Sequence, residues 1–158
     1  MASVPQITMY TDGAARGNPG PGGYGVVLMS GAHRKELSDG FELTTNNRME
    51  LLAVIVGLEA LKTTNCSVTV YSDSKYVVDA VEKRWVWDWV KKRFKGKKNA
   101  DLWQRFLKIY EQHQVRFVWV KGHANIPENE RCDQLAVEAS WAPGLRKDTG
   151  YLQSLNED

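Results

Sequence analysis

Four acids stand where the residue pattern of the chain changes, and acids in such places can do chemistry. Asp12 follows the apolar stretch Ile7 to Tyr10, Glu50 opens a long apolar run, Asp73 follows Ser67 to Tyr71, and Asp133 lies at the margin of an apolar stripe beginning after Pro127. If they converge, their hard oxygens could hold divalent magnesium. Each acid also has an ordinary role open to it. Asp12 fits an Asx turn, Glu50 a capping box with Asn47, Asp73 a helix N-cap, and Asp133 a solvated helix face. His123, in the polar loop 121–126, reads alone as an ordinary loop residue.

The choice turns on the elements that must carry these residues. Ile7 to Tyr10 reads as a strand, and Gly13 to Gly25, with six glycines and two prolines, reads as a glycine-rich loop leading to a second strand from Tyr24 to Met29. No helix follows that loop, which argues against a nucleotide-binding glycine motif. A backbone so lightly covered could instead approach a sugar-phosphate chain. Arg34 to Phe41 completes an antiparallel meander. Thr44 to Asn47 supplies capping residues for a buried helix, Met49 to Leu61. Ser67 to Tyr71 is a fourth strand, followed by a helical stretch from Tyr76 to Val81. A helix from Asp101 to Gln112, a fifth strand from Val115 to Val120 and a last helix from Pro127 to about Trp141 follow. If the first and fourth strands lie parallel and adjacent, Asp12 and Asp73 meet at one edge.

Composition narrows the class. The 158 residues suit one domain, 1–158, with a flexible tail from about residue 145; apolar content is 42% and charged content 25%, ordinary for a globular chain. No apolar run reaches membrane-spanning length and the N-terminus lacks a signal-peptide layout, so a soluble, cytoplasmic protein is expected. Cys66 and Cys132 have no zinc-site spacing and read as reduced thiols. The net charge of +2 hides an asymmetry: Lys83 to Lys98 holds eight basic residues against Asp88, a balance of +7 that leaves the rest of the chain at −5. Such a segment, which includes Lys91, Lys92 and Arg93, suits a grip on a polyanion. Trp85, Trp87 and Trp89 interleave with it, either as a nucleic-acid platform or as a helix packed on the body with a solvated lysine face.

Five ordered blocks then carry a resemblance: Tyr10-Thr11-Asp12-Gly13, Gly17 to Gly25, Thr44 to Glu50, Ser72-Asp73-Ser74, and Val120 to Ala124 with Asn129 to Asp133. Together they resemble bacterial ribonuclease H of type 1 over almost the whole chain. The resemblance implies an α/β fold with a mixed five-stranded sheet, three antiparallel strands then two parallel ones, with helices on both faces. It implies endonucleolytic hydrolysis of the RNA strand of RNA–DNA hybrids, leaving 3′-hydroxyl and 5′-phosphate ends. Asp12, Glu50, Asp73 and Asp133 match metal-binding acids for two magnesium ions, with manganese as a substitute, and His123 matches a mobile loop histidine. Ala15, Gly17 and Asn18, with Glu50, resemble contacts to 2′-hydroxyls, the group that separates RNA from DNA. Asn46 and Asn47 resemble groove contacts, Thr45 and Asn99 DNA-phosphate contacts, and Trp85, Trp89 and Trp103 the aromatic wall of a DNA-strand channel. Lys75 stands where some relatives carry glutamine, which makes an RNA-side contact there electrostatic. The basic segment is shorter than in the best-known members, and a monomer is expected. A binding module without catalysis would lack at least one acid, and an integrase would bring flanking domains.

Overall fold

The computed structural model describes residues 4–122 and 125–156. Its strands are β1 (Gln6–Ala15), β2 (Gly20–Ser30), β3 (His33–Thr44), β4 (Ser67–Ser72) and β5 (Gln114–Trp119). The helices are α1 (Asn46–Glu59), α2 (Lys75–Glu82), α3 (Trp85–Lys91), α4 (Ala100–Tyr110), α5 (Pro127–Trp141) and α6 (Thr149–Ser154). The sheet order is β3-β2-β1-β4-β5. β1, β2 and β3 pair antiparallel, whereas β1–β4 and β4–β5 pair parallel. This is the mixed sheet expected from the sequence.

Alternation along the strands divides the core into two layers. Met9, Val26, Val68 and Val70 pack with α1, α2 and α4 in the main cluster, while Val27 packs with Cys132 and Leu135 of α5 on the other face. Nine residues of α1 are buried, as its apolar character all round requires.

Three expectations need correction. The glycine-rich stretch is largely strand: β1 and β2 stay paired from Thr8↔Met29 to Ala15↔Gly22, leaving only residues 16–19 as the turn. Its glycines serve helix packing, because a Cβ at Gly23 or Gly25 would strike the main-chain carbonyls of Ala136 and Cys132 in α5. The cap of α1 is Thr45, whose hydroxyl accepts from Arg48 N at 3.2 Å. Glu50 thus lies too far into the helix for a capping box with Asn47. The C-terminal tail is docked rather than loose. Arg146 exchanges main-chain hydrogen bonds with Gly40 and Glu42, and Asp148 caps α6 while accepting two hydrogen bonds from buried Arg48 at 2.8 and 2.9 Å.

Candidate active site

The parallel pairing of β1 with β4 sets the centre of the site. Tyr10 pairs with Tyr71 and their rings stack 5.0 Å apart, so Asp12 and Asp73, each two residues further on, lie side by side just past the end of the β1–β4 ladder, while β1 stays paired with β2. Glu50 arrives from α1 because Gly13 lets the helix backbone touch the strand; a Cβ there would collide with the main chain of Met49 and Glu50. One carboxylate oxygen from each of Asp12, Glu50 and Asp73 lies within 4.8 Å of the other two. Asp133, exposed on α5, lines the same cleft of about 470 Å³, together with Asn46, Gly122 and Asn129. His123 lies outside the described residues.

The electrostatics follow from this crowding. Burial, then repulsion by Asp73, Asp133 and Glu50, pushes Asp12 up to about 8 against the pull of the Gly13 N–H, which donates to its Oδ1 at 2.9 Å. Burial and Asp73 push Glu50 up to about 7, opposed by a hydrogen bond from Ser74. Half-buried carboxylates that repel one another are relieved by a shared cation. An all-oxygen donor set with no thiol or imidazole among the described ligand candidates fits a hard divalent ion.

The residues expected to touch a substrate fall into two groups. On one flank, the β1–β2 turn is tied to the start of α1: Ala15 N donates to Asn46 Oδ1 at 2.6 Å and Asn46 N donates to Asn18 Oδ1 at 3.0 Å. The Ala15 N–H is therefore engaged within the protein, while Gly17 and Asn18 form the exposed, left-handed tip of the turn. On the other flank, Asn47, Tyr76, Trp85, Trp89, Lys97, Lys98 and Asn99 line a second groove of about 370 Å³. Thr45 is spent on the cap of α1, and Lys75 is exposed at the start of α2.

Burial corrects one of these assignments. Trp103 is fully buried, packs edge-on against Trp89 at 5.8 Å and donates from Nε1 to the Tyr76 hydroxyl at 2.9 Å. It supports the groove from beneath and does not reach a ligand. Lys91, Lys92 and Arg93 are exposed but do not line the groove. Lys97 and Lys98 do, and the Lys97 ammonium sits 5.1 Å from the Trp89 ring centroid. The signal for them was present in the +7 segment, but charge alone does not order lysines. What orders this segment is Phe94, buried in the main core.

Sheet order and acid cluster together define a ribonuclease H-like fold. The crystal structure of LC9-RNase H1 superposes with a TM-score of 0.80 at 31% identity, covering 98% of this chain and 82% of that one. That of LC11-RNase H1 in complex with RNA/DNA hybrid gives 0.64 at 31% identity, covering 84% and 95%. The RNase H family model matches residues 4–141. Ribonuclease H of Desulforamulus reducens is 60% identical over 151 residues, covering 92% of this chain and 94% of that protein. Ribonuclease H of Proteus mirabilis is 51% identical over 154 residues, covering 94% and 95%. The chain belongs to the ribonuclease H family.

Proposed function

We propose that this protein is an endoribonuclease that hydrolyses the RNA strand of RNA–DNA hybrids, leaving 3′-hydroxyl and 5′-phosphate ends. The observation that carries it is the triad of carboxylates within 4.8 Å at the mouth of a cleft, in a chain so similar to curated ribonucleases H. Two divalent ions held by these carboxylates, magnesium with manganese as a substitute, would supply water activation and neutralise charge on the leaving oxygen. Asp12 and Asp73 stand at the centre of the ligand set, Glu50 completes it from α1 and Asp133 from α5. The Gly13 N–H orients the Asp12 carboxylate, and Ser74 orients Glu50. His123 takes the role of proton carrier or assists product departure.

Recognition divides between the two flanks. The tip formed by Gly17 and Asn18, with Asn46 and Glu50, reads 2′-hydroxyls in the minor groove, and Lys75 meets an RNA phosphate. The DNA strand follows the second groove, with Trp85 and Trp89 under its sugars, Asn99, Lys97 and Lys98 at its phosphates, and Asn47 as a groove contact. Aromatic faces and ammonium groups so interleaved suit a sugar-phosphate chain. A cytoplasmic monomer is part of this proposal. Among the described residues no helix is long and apolar enough to cross a membrane.

The test is cleavage of end-labelled hybrid with and without magnesium, beside duplex DNA and a duplex holding one ribonucleotide. Cleavage of the hybrid alone is expected, because several 2′-hydroxyl contacts of about 0.5–1.5 kcal/mol each must act together. Equal rates on hybrid and single-ribonucleotide duplex would overturn the proposed recognition.

A further inference from the structure

Trp119 is the last residue of β5, on an edge strand, and 44% of it is exposed. Much of the indole stays in water, and the ring is bonded on two sides. Its Nε1–H donates to the main-chain carbonyl of Asp73 at 3.1 Å. The Lys75 ammonium lies 4.7 Å from its ring centroid.

One partner is the main chain of a cluster acid, and the other stands two residues after it in the chain, where the β4–β5 ladder ends. The β4–β5 pairing stops at Ser72↔Trp119, and Val120 N to Ser72 O, at 2.9 Å, follows it. Asp73 comes next in the chain, beyond the ladder that fixes the strand. On its far side Ser74 N donates to Ser72 Oγ at 3.1 Å and Ser74 Oγ caps α2 by accepting from Val77 N at 3.2 Å. The Trp119 N–H is thus a tie on the Asp73 peptide from the neighbouring strand. The ring beside it holds a long, flexible lysine whose charge would otherwise sweep through solvent; a cation over an indole face is attracted by the ring quadrupole.

We propose that Trp119 is a positioning residue with two separable roles: its N–H fixes the Asp73 main chain, and hence the direction of its carboxylate, while its ring is the shelf that holds Lys75 toward the substrate phosphate beside the cluster. The proposal rests on the hybrid-cleaving function above. It adds to that function a residue that touches neither metal nor reacting atoms and acts through Asp73 and Lys75.

The two roles come apart on substitution. Trp119→Phe keeps an aromatic face and removes the N–H; benzothienylalanine incorporated at position 119 removes the N–H with the ring size unchanged; Trp119→Leu removes both. With either of the first two, the single-turnover cleavage rate in saturating magnesium should fall about tenfold, the upper end for one lost hydrogen bond. Hybrid affinity measured in EDTA should stay within about twofold. With Trp119→Leu, hybrid affinity in EDTA should also fall, by about threefold, as expected for an exposed cation–aromatic pair. Combining it with Lys75→Met should weaken binding no further than Lys75→Met alone, because the shelf acts only through the lysine.

A wild-type cleavage rate in both N–H-deficient proteins overturns the tie to Asp73. Additive binding losses in the double variant overturn the shelf. Rate and affinity falling together in proportion to a lowered Tm would make Trp119 a structural residue only, and would also overturn the proposal. Absence of hybrid cleavage by the wild-type protein would instead remove the function on which the proposal rests, so the two failures are distinguishable.

Discussion

In the metal-free protein, replacing Asp12 by Asn should raise stability, by an amount that depends on pH. Burial and the neighbouring acids push Asp12 up to about 8, whereas in the unfolded chain it titrates near ~3.9. A carboxyl whose folded pKa is the higher one is neutral in both states at low pH, where it costs the fold nothing. As pH rises past the unfolded value, the unfolded chain releases its proton and the folded one does not, so stability is lost until the folded value is reached, and then levels off. The window therefore runs from about 4 to about 8. At about 1.4 kcal/mol per pKa unit, the whole window has an upper bound of about 5–6 kcal/mol. The cleft is open and Asp12 shares the repulsion with Glu50, Asp73 and Asp133, which brings the expected gain to about 2–3 kcal/mol near pH 7.5.

Asn keeps an acceptor for the Gly13 N–H and carries no charge, so nothing offsets this gain. For a domain of this size it corresponds to a rise in Tm of roughly 5–10 °C near pH 7.5, shrinking toward zero by about pH 4.5. Thermal unfolding in EDTA at a series of pH values measures it directly. Magnesium should narrow the gap by binding the wild-type fold alone. An Asp12→Asn protein no more stable than wild type near pH 7.5, or a gain that does not change with pH, would refute a tight carboxylate cluster.

Other substitutions test the packing and the grooves. Gly13→Ala should depress cleavage more than hybrid binding and destabilise the fold by about 2 kcal/mol or more, read by denaturant titration, because its methyl must displace the backbone of α1 at Glu50. Asp148→Asn should cost about 3 kcal/mol, since it leaves Arg48, 2% exposed, with its other carboxylate, Asp101, alone; a loss under ~1 kcal/mol would make the tail a passive appendage. Replacing Lys97 and Lys98 by alanine should flatten the fall of log affinity with log salt by about 0.9 per lost phosphate contact, and more than the triple change at Lys91, Lys92 and Arg93. An equal or larger effect from the triple variant would move the DNA path away from the groove.

Local chemistry in the sequence was enough to expect the β1–β2–β3 meander and to make β1 and β4 candidates for parallel neighbours, whereas the complete sheet with β5 beside β4 came from the family resemblance. Local chemistry was also enough to bring Asp12 and Asp73 together, since parallel neighbours end at the same edge. It was not enough wherever a distant element decides. Thr45, Asn46 and Asn47 can all cap a helix, and the choice of Thr45 depends on Asn46 being bound to Ala15 across the chain. Trp89 and Trp103 look alike in sequence, yet one lines a groove and the other lies beneath it. Asp148 has no local partner; its meaning comes from Arg48, one hundred residues away. Trp119 carries no motif, and only the geometry ties it to Asp73.

The glycine-dense stretch shows why composition misleads at a site of this kind. Glycine favours loops because its backbone is free, but the same missing side chain permits backbones to touch. Along β1 and β2 the second property dominates. Gly13 admits α1 on one face, and Gly23 and Gly25 admit α5 on the other. Those helices carry Glu50 and Asp133, which line the cleft of Asp12 from opposite faces of the sheet. A methyl at any of the three positions would move a helix outward and take an acid with it. The loop-like composition at the centre of the sheet and the convergence of four acids are therefore one device, and the spacing of the glycines along the strands is set by the helices that deliver the carboxylates.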